Sequence, residues 1–158
     1  MDDAHFIRLA IELARKGMKA NEGGPFGAVI VDANGKIVGQ GNNKVTSTND
    51  PTAHAEVVAI REACAHLKAF QLEGCTIYSS CEPCPMCLGA IYWARPDRLV
   101  FASSRQDAAK VGFDDEFIYT EIPLDISDRK IPTSQCLQDE GYHVFEEWKE
   151  LELSLIHI

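Results

Sequence analysis

Two short stretches hold the side chains best suited to chemistry: Thr52-Ala53-His54-Ala55-Glu56 and Cys81-Glu82-Pro83-Cys84-Pro85-Met86-Cys87. Each lies at the expected start of a helix. Cys84 and Cys87 are three apart in one first turn, so both sulfurs can face one point, and the positive helix end favours their thiolates. Pro85 suits that turn because the first helical amides have no intrahelical acceptor to lose. Two thiolates so placed can clamp a metal ion. A third ligand must come from elsewhere, and His54 is the best candidate, since it also opens a helix and has a carboxylate two residues on. One His and two Cys on tetrahedral zinc leave the fourth position to water, whose pKa falls from about 15.7 to about 7. Residues i and i+2 of a helix point in different directions. Glu56 is therefore expected to approach that water from the side, as general acid and base, rather than to bind the ion.

The competing reading of Cys84 and Cys87 is a redox pair or a closed zinc knot completed by Cys81 or Cys75. His54-x-Glu56 upstream favours the open site. Cys64 falls on the apolar stripe of its helix and is assigned to the core, while Cys75 and Cys136 are assigned to strands. His5, His66, His143 and His157 have no partner motif, and Tyr92 and Trp93 are assigned to packing.

His54-x-Glu56 followed by Pro83-Cys84-x-x-Cys87 is the signature of the zinc nucleobase deaminases. Together with Gly24-Pro25-Phe26-Gly27-Ala28, Asn43, Asn49 to Glu56 and Cys84 to Pro96, it makes the chain resemble the small bacterial guanine deaminases of the cytidine deaminase superfamily. The resemblance implies a sheet of five strands between helices, one zinc held by His54, Cys84 and Cys87, and Glu56 as proton shuttle. It also implies hydrolysis of guanine at C2 to xanthine and ammonia. Phe26 and Asn43 match positions that wall the base pocket and hydrogen-bond the purine. Asp115 matches a position that closes the pocket across a domain-swapped homodimer. Chemistry agrees in kind, because an ionised carboxylate only accepts hydrogen bonds and so selects a purine bearing ring N–H groups. Which of Asp114 and Asp115 meets the base stays open, and a solvated acidic helix start is the plain reading of both. Leu153 to Ile158 do not resemble the family's ending, which commonly brings an aromatic residue to the partner's pocket, and residues 153–158 are expected to be a non-native tail.

The elements that must position these residues follow from periodicity. Phe6, Leu9, Ala10, Leu13, Ala14 and Met18 mark an amphipathic helix that stops before Asn21 to Gly24. Phe26 to Val31 and Lys36 to Gly41 are expected strands around an Asn34-Gly35 turn. Helices are expected over 52–68 and 84–94, the second stopped at Arg95-Pro96, with strands over 75–80 and 99–102. Beyond lie a short helix over 106–111, an irregular stretch over 121–133, a strand over 134–137 and a helix over 142–151. This order predicts an α/β three-layer sandwich, a mixed sheet covered by helices on both faces, with residues 1–152 as one zinc-dependent catalytic domain.

The chain has 158 residues, and 24 Asp and Glu against 15 Lys and Arg give a net charge of −9. Most of that excess lies in the second half, and no basic cluster is present to outvote it. Binding a polyanion needs such a cluster. A tRNA adenosine deaminase, which shares the zinc motif, is thus the second reading and nucleic acid an unexpected partner; cytosine or deoxycytidylate deamination ranks below it. A zinc-stabilised module without turnover is the reading from another class, but a structural site has no need of Glu56. No basic-then-apolar leader opens the sequence, and the apolar run Leu88 to Ala94 is too short to span a bilayer. A cytoplasmic protein acting on a small purine base is expected.

Overall fold

The computed structural model describes residues 2–151; the expected non-native tail lies outside them. The chain divides into two compact units, the boundary falling after Asp115.

In the first unit, helix α1 (Asp3–Lys19) is started by Asp2, whose carboxylate accepts the His5 amide. Lys16 and Lys19 complement the negative end of the helix. Its buried stripe is Phe6, Ala10, Ala14 and Gly17. Strands β1 (Gly27–Val31) and β2 (Ile37–Asn42) form the expected hairpin. Asp32 Oδ1 accepts the amides of Asn34 and Lys36, both at 2.9 Å, and Gly35 takes a φ of 79°, which glycine adopts without a Cβ penalty. The short α2 (Val45–Thr48) leads to α3 (Ala55–Leu67), β3 (Thr76–Cys81), α4 (Pro85–Ala94), β4 (Arg98–Ser103) and α5 (Arg105–Ala109).

The sheet order is β2-β1-β3-β4, with β1 antiparallel to both neighbours and β3 parallel to β4. It is mixed, as expected, and because side chains alternate along a strand both faces are filled. Val29, Val31 and Tyr78 meet Phe6 and Ala10 of α1. Ala28, Ile30, Val38 and Ile77 meet Ala55, Ala59 and Ala63 of α3 and Ile91 and Ala94 of α4.

The expectation of five strands is corrected: the sheet has four. Residues 134–137 do not form a strand; Leu137 takes a φ of 55° and caps α7 (Gln138–Glu150). This stretch is exposed throughout, closely follows Pro132 and pairs with no ladder that could satisfy its backbone groups. The second unit comprises α6 (Glu116–Glu121), a single 3₁₀ turn and α7, and none of its described residues is buried. Among the described residues no helix is long and apolar enough to cross a membrane.

Candidate active site

Both expected ligand-bearing helices begin one residue after their first ligand. His54 (φ −68°, ψ 154°) is the N-cap of α3 and Cys84 (φ −65°, ψ 168°) the N-cap of α4, and neither side chain caps its own helix. The residues ahead of His54 form a turn instead of helix, with Asp50 Oδ1 accepting the amide and hydroxyl of Thr52 at 2.8 and 2.6 Å. An extended N-cap residue leaves its imidazole or thiol free to turn toward the other helix end. The helices come together because α3 lies close on β2. A Cβ on Gly39 would stand 2.5 Å from the Ala59 carbonyl, and one on Gly41 2.6 Å from that of Ala55.

His54 Nδ1 lies 3.5 Å from Cys84 Sγ and 3.4 Å from Cys87 Sγ, and the three donor atoms are all within 4.8 Å of one another. Tetrahedral zinc with its usual bond lengths to nitrogen and sulfur needs N···S edges of about 3.5 Å. Both N···S distances match that requirement. Among the described residues no fourth ligating side chain joins the group. Cys75 is buried in the apolar core, and the Cys81 thiol donates to the Ser104 carbonyl oxygen at 3.7 Å. A closed four-cysteine knot does not form.

The electrostatics suit a cation. Hydrogen bonding from Cys87, aided by His54, pulls the Cys84 thiol down to about 4, while Cys87 is pushed up because its partner carries the charge and it is buried. The hydrogen bond to Cys84 raises the His54 pKa against the opposing effect of burial. His54, Cys84 and Cys87 would hold a dication here with one sulfur already a thiolate, and binding would require the remaining donors to be deprotonated.

Glu56, on the first turn of α3, is buried beside this group. Ser79 Oγ of β3 donates to its Oε1 at 3.0 Å. Burial pushes the Glu56 carboxyl up, and hydrogen bonds from its own backbone, Ser79 and Cys87 oppose that shift. Such a group can both take and return a proton. Ser79 has no role in the motif reading; its signal is a hydroxyl at a buried position of an otherwise packed strand.

Phe26 is partly buried, and its ring meets Phe113 edge-on with centroids 4.9 Å apart. Asn43 is buried, and its Oδ1 accepts the backbone amides of Gly24 and Val45 at 3.2 and 3.1 Å. Two backbone donors fix which end of the amide is oxygen. Among the described residues its Nδ2 has no hydrogen-bond partner. Asp115 is partly buried, and burial raises its pKa, against the lowering by Arg105 and with a further rise from the Cys84 charge. Asp114 is exposed. Gly23 and Phe113 were not singled out from the sequence. A Cβ on Gly23 would lie 2.2 Å from Asn43 Oδ1, a close approach that only the fold reveals.

Residues 1–103 match the zinc-binding region of cytidine and deoxycytidylate deaminases, and the chain belongs to this family of zinc-dependent hydrolytic deaminases. Over 149 residues it is 53% identical to the guanine deaminase of Bacillus subtilis, a match covering 94% of this chain and 95% of that protein. The X-ray structure of that enzyme superposes with a TM-score of 0.93 at 52% identity and covers 96% of each chain. The tRNA-specific adenosine deaminase of Buchnera aphidicola subsp. Schizaphis graminum is 42% identical over 113 residues, covering 70% of this chain and 72% of that one.

Proposed function

We propose that this protein hydrolyses free guanine to xanthine and ammonia, with zinc held by His54, Cys84 and Cys87. The observation that carries the reading is the convergence of one imidazole nitrogen and two sulfurs beside the buried carboxyl group of Glu56. Guanine is favoured over a tRNA adenosine by the likeness to the guanine deaminase, which runs through nearly the whole chain, whereas the likeness to the adenosine deaminase covers 70% of it. The net charge of −9 also opposes a polyanionic substrate.

Zinc bound here supplies the Lewis acidity that makes water a nucleophile near neutral pH. Glu56, steadied by Ser79, takes a proton from that water and returns it to the amino nitrogen on C2 of the base. An oxygen from water joins C2, the C2–N bond breaks and ammonia leaves. Phe26 supplies an apolar wall for the ring. Asn43 Nδ2 donates to an acceptor on the purine, and Asp115 accepts from its ring N–H groups. Burial of Glu56 keeps the transferred proton out of bulk solvent.

We assign the active form to a homodimer. β4 is an edge strand of the sheet, and the second unit leaves Phe117, Ile122, Tyr142, Phe145 and Trp148 exposed, apolar side chains that a second copy can cover. None of the six cysteines is in a disulfide, which suits a reducing cytoplasm.

The test is elemental analysis together with absorbance assays on guanine, adenine, cytosine and a tRNA anticodon stem. One zinc per chain and turnover of guanine are expected. Glu56→Gln should retain the metal and lose about 10³-fold in kcat. Loss of zinc in that variant would make Glu56 a ligand, and selective turnover of the tRNA stem would move the protein to the adenosine reading.

A further inference from the structure

The backbone of Asn43 is held by a second layer of contacts that the zinc motif does not explain. Asn42, its neighbour at the end of β2, turns to the opposite side and seats against α1, where a Cβ on Gly17 would come within 2.2 Å of its Nδ2. From there Asn42 Nδ2 donates to Glu22 Oε2 at 2.6 Å and to the Asn43 carbonyl oxygen at 3.2 Å. Glu22 is partly buried, and its backbone ties the same region together. Its amide donates to the Gly17 carbonyl at 3.0 Å, and its carbonyl accepts from the Ser47 amide and the Thr46 hydroxyl, both at 3.1 Å. The two loops meeting at Glu22 are the ones whose Gly24 and Val45 amides hold Asn43 Oδ1.

We infer that Glu22 is a positioning residue for the purine, acting through Asn42 to fix the loop from which the Asn43 amide donates. This rests on the guanine reading above. The carboxylate serves as the outer anchor: it restrains Asn42, Asn42 restrains the Asn43 backbone, and Nδ2 is thereby aimed without touching the zinc ligands or Glu56. Losing the anchor loosens a contact made to the bound base in ground and transition states alike, so the effect falls on KM more than on kcat.

The experiment compares zinc-loaded wild type, Glu22→Ala, Glu22→Gln, Glu22→Asp, Asn43→Ala and the double variant Glu22→Ala/Asn43→Ala. Glu22→Ala should raise KM for guanine about tenfold, the scale of one weakened hydrogen bond, with kcat within about threefold. Glu22→Gln keeps a carbonyl oxygen for Asn42 Nδ2 and should return KM to within about threefold of wild type. Glu22→Asp withdraws the acceptor by one methylene and reads the same split if the alanine variant is insoluble. In the double variant KM should match that of Asn43→Ala alone, because the anchor acts only through Asn43. An unchanged KM in Glu22→Ala and Glu22→Asp, a Gln variant as impaired as Ala, or a full additional KM rise in the double variant overturns the inference while leaving the deaminase reading intact. A zinc-loaded wild type that leaves guanine untouched overturns both.

Discussion

The glycines of β2 set the depth at which α3 lies on the sheet, and adding one methyl group there should damage catalysis without touching a functional side chain. A Cβ on Gly41 would stand 2.6 Å from the Ala55 carbonyl oxygen, and also 2.9 Å from the Ala59 nitrogen and from Val58 Cβ. Ordinary van der Waals contact begins near 3.4 Å, so the first turn of α3 must lift by about 0.8 Å. Ala55 sits between His54 and Glu56, and both move with it. A displacement of that order at a reacting group costs up to about 10²-fold. Gly41→Ala should therefore lower kcat/KM for guanine by about 10- to 100-fold and weaken zinc retention against a competing chelator. Gly39→Ala is the control: its Cβ would lie 2.5 Å from the Ala59 carbonyl oxygen and 2.7 Å from Ala63 Cβ, farther along the helix from the site. Both variants overpack the core and should lose about 1–3 kcal/mol of stability, read as a fall in Tm. Only the first should lose activity out of proportion to that fall. If Gly41→Ala shows the lower Tm yet keeps kcat/KM within about threefold of wild type, the depth of α3 does not govern the alignment of His54 and Glu56.

Three further outcomes are expected. Asp115→Asn should cut kcat/KM for guanine by about 10- to 100-fold with zinc content unchanged, the scale of a hydrogen bond to a charged acceptor, whereas exposed Asp114→Asn should stay near wild type in the same absorbance assay. Removing zinc with a strong chelator should abolish turnover and lower Tm, and restoring stoichiometric zinc should recover both; turnover that survives the chelated state would exclude a role for the ion. The Tyr78 hydroxyl donates to Asp3 Oδ1 at 2.8 Å, and burial and that bond push its pKa up to about 12 from an ordinary 10. Because the folded value is the higher one, this contribution to stability is complete below pH 10 and lost as pH rises toward 12. Tyr78→Phe should flatten that part of a pH–stability curve measured by urea unfolding, and an unaltered slope would detach Tyr78 from the alkaline transition.

The parts of the site that depend on local spacing were legible from the residues alone. Cys84 and Cys87 share one turn whatever the rest of the chain does, and the Asn34-Gly35 turn between two short strand-forming segments over 26–41 dictates a hairpin. His54, opening a helix with a carboxylate two residues on, was the best candidate for the third ligand, and the family resemblance assigned it and Glu56 to the same centre. What the chain order could not supply is distance between elements. His54 meets Cys84 and Cys87 across 30 and 33 residues, at 3.5 and 3.4 Å, because α3 and α4 pack on one face of a single sheet. The same packing turned Ser79 toward Glu56, a contact no spacing rule marks, since a strand serine can face either side. Burial separated Asp115 from Asp114, which as neighbours in sequence look alike. Residues 134–137, whose Cys136 and Leu137 near a proline could pass for a short edge strand, pair with no ladder. Composition and periodicity therefore determine which side chains are available and on which kind of element; the close approach of α3 to Gly39 and Gly41 and the wrapping of two loops around Asn43 arise only when distant segments compete for the same space.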